Sequence, residues 1–177
     1  MPILLGLIGL AASAYFVIVR VKRGAEMASG LMDAAQDVRG AARRFGFRRQ
    51  GNQHPVEAVE DPNLAVAALA TAFMQLDDLP TADARRALDV ALRCHLNLDG
   101  DTAQEIEVLG HWLVEQCGGA APAFSRLSKR LHKLDEGASF PTLIEILSEV
   151  TSAGSKGGPS TRQSEALTDL AHVFSPR

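Results

Sequence analysis

The sequence predicts an all-α protein in which a single N-terminal membrane-spanning helix and a linker lead into a compact bundle of about six helices. Three observations carry this. The first is composition: 46% of the 177 residues are hydrophobic but only 5% are aromatic. Alanine and leucine dominate, while the β-branched and aromatic runs that favour strands are scarce. The second is periodicity, because after residue 61 apolar residues recur at steps of three and four, punctuated by capping residues. The third is the uncharged run Pro2 to Val19.

That run would span about 27 Å as a helix, close to the thickness of a bilayer core. A secretory signal places positive charge before its apolar stretch and a cleavage site after it. Here Arg20, Lys22 and Arg23 follow the stretch, and Ala12-Ser13-Ala14 lies inside it. Residues 1–23 therefore read as an uncleaved anchor in preference to a signal peptide or a buried helix. The positive-inside rule then puts the C-terminal domain in the cytoplasm. Gly9 and Ser13 form a small-xxx-small pair able to seat another helix, though such pairs also arise by chance in segments rich in alanine and glycine.

Residues 24–50 read as a basic juxtamembrane helix, with Met27, Leu31, Ala35, Val38, Ala42 and Phe45 on one stripe. Arg39, Arg43, Arg44, Arg48 and Arg49 gather towards its end, with Phe45 and Phe47 between them. This cluster predicts contact with anionic headgroups or with a partner; the plainer alternative is a solvated stalk. Residues 20–50 hold eight basic and three acidic side chains, whereas residues 51–177 hold ten basic and eighteen acidic ones. An acidic domain is a poor fit to a nucleic-acid phosphate backbone. Residues 51–61, with glycine, asparagine and proline and no period, read as a linker.

The bundle, residues 62–175, follows in order. Asp61 caps a first helix with Pro62 in its first turn, and Leu64, Ala68, Phe73 and Leu76 lie on its apolar side. Thr81 caps a second, with Leu88, Leu92 and His95 along one side. Asp101 and Gln104 suggest a capping box for a third, striped by Ile106, Leu109 and Leu113, and Gly118 suits a left-handed exit. Phe124, Leu127, Leu131 and Leu134 mark a fourth, with Arg126, Lys129, Arg130 and Lys133 facing away. Leu143, Ile146, Leu147 and Val150 mark a fifth. Ser160 or Thr161 caps a sixth, striped by Leu167, Leu170 and Phe174. The first and last helix pairs, around Leu76–Asp83 and Thr151–Glu165, form a faint helix–loop–helix repeat.

Little in this pattern points to chemistry. The loop from Ala153 to Thr161 carries glycines, Lys156 and serines, but in the wrong order for a phosphate-binding loop and after a helix where a strand is required. Cys94, His95, His111 and Cys117 match no zinc spacing, and both cysteines read as reduced, small core residues. No nucleophile–base pair is apparent, and Glu105, Glu107 and Glu115 read as a solvated face. The chain is expected to be no enzyme and to bind no small-molecule substrate and no nucleic acid. Trp112, the one tryptophan, reads as core beside the Leu109–Leu113 stripe, or as an interface anchor if exposed.

The two helix–loop–helix units resemble the tellurite-resistance TerB-like family, as found in the middle region of membrane-anchored DnaJ-like proteins of the bacterial inner membrane. In that family an aspartate, a glycine and a glutamate recur in each half. Here Asp77 or Asp78 corresponds to the first aspartate, and its glycine is missing. In the second unit Gly154 and Glu165 correspond, with Ala153 at the aspartate position. The resemblance covers about residues 62–175. It implies a divalent cation held by carboxylate oxygens of Asp77, Asp78 and Glu165; otherwise these are first-turn carboxylates favoured by helix dipoles. His54-Pro55 is followed by Val56, so the J-domain signature is absent and co-chaperone activity does not carry over.

The expectation from sequence is therefore a single-pass, membrane-anchored, non-enzymatic adaptor whose cytoplasmic helical domain binds another protein. The alternatives are an accessory subunit of a larger membrane complex and a divalent-metal or stress-sensing domain.

Overall fold

The computed structural model describes residues 54–77, 80–154 and 158–175. The expected anchor with Gly9 and Ser13, the arginine cluster from Arg39 to Arg49 with Phe45 and Phe47, and Asp78 lie outside the described residues. Among the described residues there are six α-helices and no strand: α1 (Pro62–Gln75), α2 (Ala82–His95), α3 (Gly100–Gln116), α4 (Ala120–Asp135), α5 (Phe140–Ser152) and α6 (Thr161–Phe174). None of them is long and apolar enough to cross a membrane.

Helix α1 is the centre of the bundle. Asp61 Oδ1 accepts from Asn63 N at 2.8 Å, and Pro62 opens the first turn, which stops fraying where an N–H would otherwise go unmet. The sequence suggests one apolar side, but eleven of the fourteen residues, Leu64 to Met74, are buried. The reason is composition. Alanines fill the positions between the large side chains, so every face can be covered by a neighbour. The one polar residue of that run, Thr71, donates its hydroxyl to Ala67 O at 2.9 Å and leaves no unmet group. α1 packs most extensively on α3 and α4. The crossing with α3 is close because of Gly110: a Cβ there would lie 3.2 Å from Thr71 Oγ1 and 3.3 Å from Ala68 Cα.

Thr81 caps α2 through Ala84 N at 3.0 Å, as the sequence predicts. The cap of α3 differs. Asp99, not Asp101, accepts from Thr102 N at 2.8 Å, and the helix starts at Gly100. Asp99 lies at the correct spacing to meet that third-position amide, leaving Asp101 in the first turn. Gly118 and Gly119 leave α3 with φ of 81° and 122°, in the region where a Cβ is disfavoured. α2 packs against α5. There His95 bridges two α5 carboxylates, Nδ1 to Glu145 Oε2 at 3.2 Å and Nε2 to Glu149 Oε1 at 2.8 Å. α6 closes the bundle against α4.

Other expectations are corrected. The stretch read as linker carries a 3-10 turn, Pro55–Ala58, and both Val56 and Val59 are fully buried. Arg130, expected to face solvent, turns back and donates from Nε to Val59 O at 2.7 Å. Cys94 is exposed, not core: it falls between Leu92 and His95 on the outer side of α2. Glu105 and Glu107 are half-buried. Burial, followed by the Asp89 charge, raises the Glu107 carboxyl above its ordinary value.

Candidate interaction groove

Among the described residues the surface carries a small cleft and a larger groove. The smaller holds only about 10 Å³, room for roughly one water. Met74, Asp77, Pro80 and Ala84 of the first helix–loop–helix unit line one side, and Val150, Thr151, Gly154, Gly158, Ser160 and Gln163 of the second line the other. The two loops thus converge. Gln163 joins them. Its Oε1 accepts from Ser160 N at 2.9 Å, Ser160 Oγ accepts from Gln163 N at 3.3 Å, and its Nε2 donates to Phe73 O at 3.2 Å. One buried side chain completes the capping box of α6 and also meets a carbonyl in the last turn of α1.

The larger depression is a groove of about 330 Å³ between α4 and α6, lined also by Leu76. Its shape follows from the residues that build it. Ala121, Ser125 and Ser128, at steps of four and three on α4, are too small to fill the space beside Phe124. Ser128 is buried and donates to Phe124 O at 2.7 Å, so the floor offers no free hydroxyl proton. Phe124 is fixed from below by Phe73, with ring centroids 6.0 Å apart. On the α6 side Ala166 and Val173 continue the apolar floor. Glu165 and Asp169, one turn apart, form an acidic rim, and Arg162 stands near the start of the helix. The far end of α6 is held by Phe174, which stacks on Phe140 at 4.7 Å and meets His132 edge-on at 5.2 Å.

The residues singled out from sequence fall as follows. Asp77 lines the small cleft, and Glu165, which is exposed, stands on the groove rim, so the two line different depressions. Among the described residues no group of three or more His, Cys, Asp or Glu side chains is arranged to hold a metal ion. Trp112 is half-buried against the core. His111 Nδ1 lies 2.8 Å from Gln75 Nε2. Burial lowers the His111 pKa, and Glu115 partly opposes this, so the ring accepts from the amide as neutral imidazole. Burial pushes the Cys117 thiol up, with Arg126 opposing, which leaves little nucleophilic thiolate.

Sequence reasoning missed the groove. Its signal was the small-residue stripe Ala121, Ser125, Ser128 flanking a lone aromatic, which reads in isolation as an ordinary polar edge. Comparison with known protein families, curated proteins and solved structures finds no match.

Proposed function

We propose that this chain is a membrane-anchored, non-enzymatic adaptor that holds a partner segment in the α4–α6 groove. The observation that carries the reading is the groove itself: a trough about 330 Å³ in volume with a floor of Leu76, Phe124, Ala166 and Val173 and a charged rim. Apolar floors with polar rims suit the side chains of an amphipathic helix, which enter at i and i+3 or i+4 while its polar face stays wet. The rigid backing of Phe124 by Phe73 supports a preformed site, which lowers the ordering cost of association.

In this proposal residues 1–23 are the anchor, the arginine-rich segment makes a membrane-surface or protein contact, and the helical domain lies in the cytoplasm. The TerB-like resemblance belongs to the same proposal. It is supported by the all-helical fold and by the meeting of the two helix–loop–helix units at the Asp77 cleft. The accessory-subunit reading uses the same groove, with a permanent neighbour in place of a transient one.

Purifying the tagged full chain from its native membrane in mild detergent, with mass spectrometry of its companions, tests the proposal. An adaptor yields a companion whose recovery falls when Phe124→Asp is introduced into the groove, while the chain still reaches the membrane. Companions in fixed ratio indicate the subunit. Recovery of the chain from soluble cell fractions alone would sink the anchored reading.

A further inference from the structure

We propose that the α4–α6 groove is occupied, when no partner is present, by the chain's own segment Arg39–Arg49. The inference rests on the groove being a docking site, as argued above, and adds what sits in it.

Charge complementarity points to this occupant. The segment carries five arginines, no acid, and the two aromatic residues Phe45 and Phe47. The groove supplies the matching set. Its floor beside Phe124 accepts apolar side chains, and Glu165 and Asp169 offer two exposed carboxylates one helical turn apart. Arg162 stands to one side of these carboxylates and repels an arginine placed nearer the start of α6, which restricts the position of the guanidinium groups. The wider balance agrees, since residues 51–177 hold eight more acidic than basic side chains.

The entry point of the chain is the second argument. The described fold begins at His54, and its first turn, Pro55–Ala58, packs against α4 and α3. Arg130 of α4 holds Val59 by its carbonyl. The segment therefore joins the fold beside the helix that forms one groove wall. Phe45 precedes His54 by nine residues, a reach of about 30 Å when extended. A domain of this size has a radius of gyration of about 14 Å, so the tether suffices to cross α4 from one side to the other. A tether this short gives an effective concentration on the order of millimolar, enough for a weak contact to be populated. A partner must then displace the segment, which makes occupancy of the groove depend on where the arginines are.

The test is photo-crosslinking in the full chain. Ser125, exposed on the groove rim, is replaced by p-benzoylphenylalanine, and the purified chain is placed in phosphatidylcholine nanodiscs at one chain per disc. The expected result is an adduct, at single-chain mass, between position 125 and a peptide within residues 39–49. Its yield should fall about fivefold in Glu165→Lys/Asp169→Lys, as loss of two exposed ion pairs implies. It should fall likewise in Phe45→Ser/Phe47→Ser, which leaves the described fold untouched. Three results would overturn the proposal: no adduct to the segment, a yield indifferent to both double variants, or capture only between two chains. Discs containing phosphatidylglycerol supply a further readout. If a photo-probe at Phe47 reaches only lipid in both disc types, the segment is a lipid contact and the proposal fails. None of these failures touches the adaptor reading, whose companion is sought independently in native membrane.

Discussion

Helices α1 and α6 are each fourteen residues long, each is opened by a side-chain cap, and each belongs to a helix–loop–helix unit. Yet eleven residues of α1 are buried and only Gln163, Ala166 and Leu170 of α6 are. The local code for a helix is therefore the same in both, and what separates them is the composition of the remaining faces. In α1 alanine occupies the positions between the large side chains. In α6 those positions hold arginine, serine, glutamate, threonine and aspartate. The first pattern builds a centre on which α2, α3, α4 and α5 pack. The second builds a wall with one dry edge, and the groove lies along that edge.

The largest test of this contrast is truncation at each centre of packing. Phe73→Ala in α1 should cost roughly 3–5 kcal/mol, because a fully buried aromatic ring is removed from a site surrounded on all sides. Leu170→Ala in α6 should cost about 2 kcal/mol, the low end for a buried leucine, since an edge helix can settle into the space. Urea unfolding of the full chain in mild detergent, followed by Trp112 fluorescence, measures both. Equal costs would mean that α6 is held as tightly as α1.

The next effect tests whether the two helices are coupled. Gln163→Ala removes the side-chain half of the α6 capping box, the bond from Ser160 N, together with the bond to Phe73 O, and should cost about 1–2 kcal/mol. Gln163→Glu keeps the cap acceptor but loses the donor to Phe73 O, so it should recover only part. If both variants lose the same amount, the tie to α1 contributes most of the effect. If neither loses stability, the two units are energetically independent.

A related test addresses how tightly the centre is closed. Gly110→Ala places a methyl group 3.2–3.3 Å from Thr71 and Ala68. Helix propensity favours the change by about 1 kcal/mol, whereas overpacking opposes it by about 1–3 kcal/mol. The expected net is a loss on the order of 1 kcal/mol, because one of the atoms met is backbone of a helix that is itself enclosed. A gain would show that α1 and α3 can part slightly without loss of packing.

Which parts of this were legible in the sequence follows from the same contrast. Helix number, the caps at Asp61 and Thr81, the narrowing of the last cap to Ser160 or Thr161, and the left-handed exit at Gly118 depend on residues within one turn of each other, and periodicity and cap chemistry reveal them. The central place of α1 and the burial of Val56 and Val59 depend on what other segments bring, and a stretch with a glycine, a proline and no period offered no hint of it. The groove was hidden for a third reason. A cavity is made by what is missing, and three small residues beside Phe124 carry no signature until the opposite wall is known. The Asp99 cap was misread by two residues because Asp99, Asp101 and Gln104 all offer plausible capping groups within a single turn.

The smallest expected effect lies at the end of α1, where its buried character gives way to surface. His111 is held by Gln75 and half-buried, and its pKa is lowered below 6.5, mainly by desolvation. A histidine whose folded pKa is depressed contributes stability that is fully present above the unfolded value. That contribution is lost as the pH falls from about 6.5 through the folded pKa, because the unfolded state then binds the proton first. His111→Gln removes this titration and keeps a group able to pair with Gln75. The stability difference between the wild-type chain and the variant should therefore be largest near pH 8 and should shrink or reverse towards pH 5. A difference constant across this range would mean that water reaches the ring freely, and that the closed centre around α1 ends one turn earlier than its burial suggests.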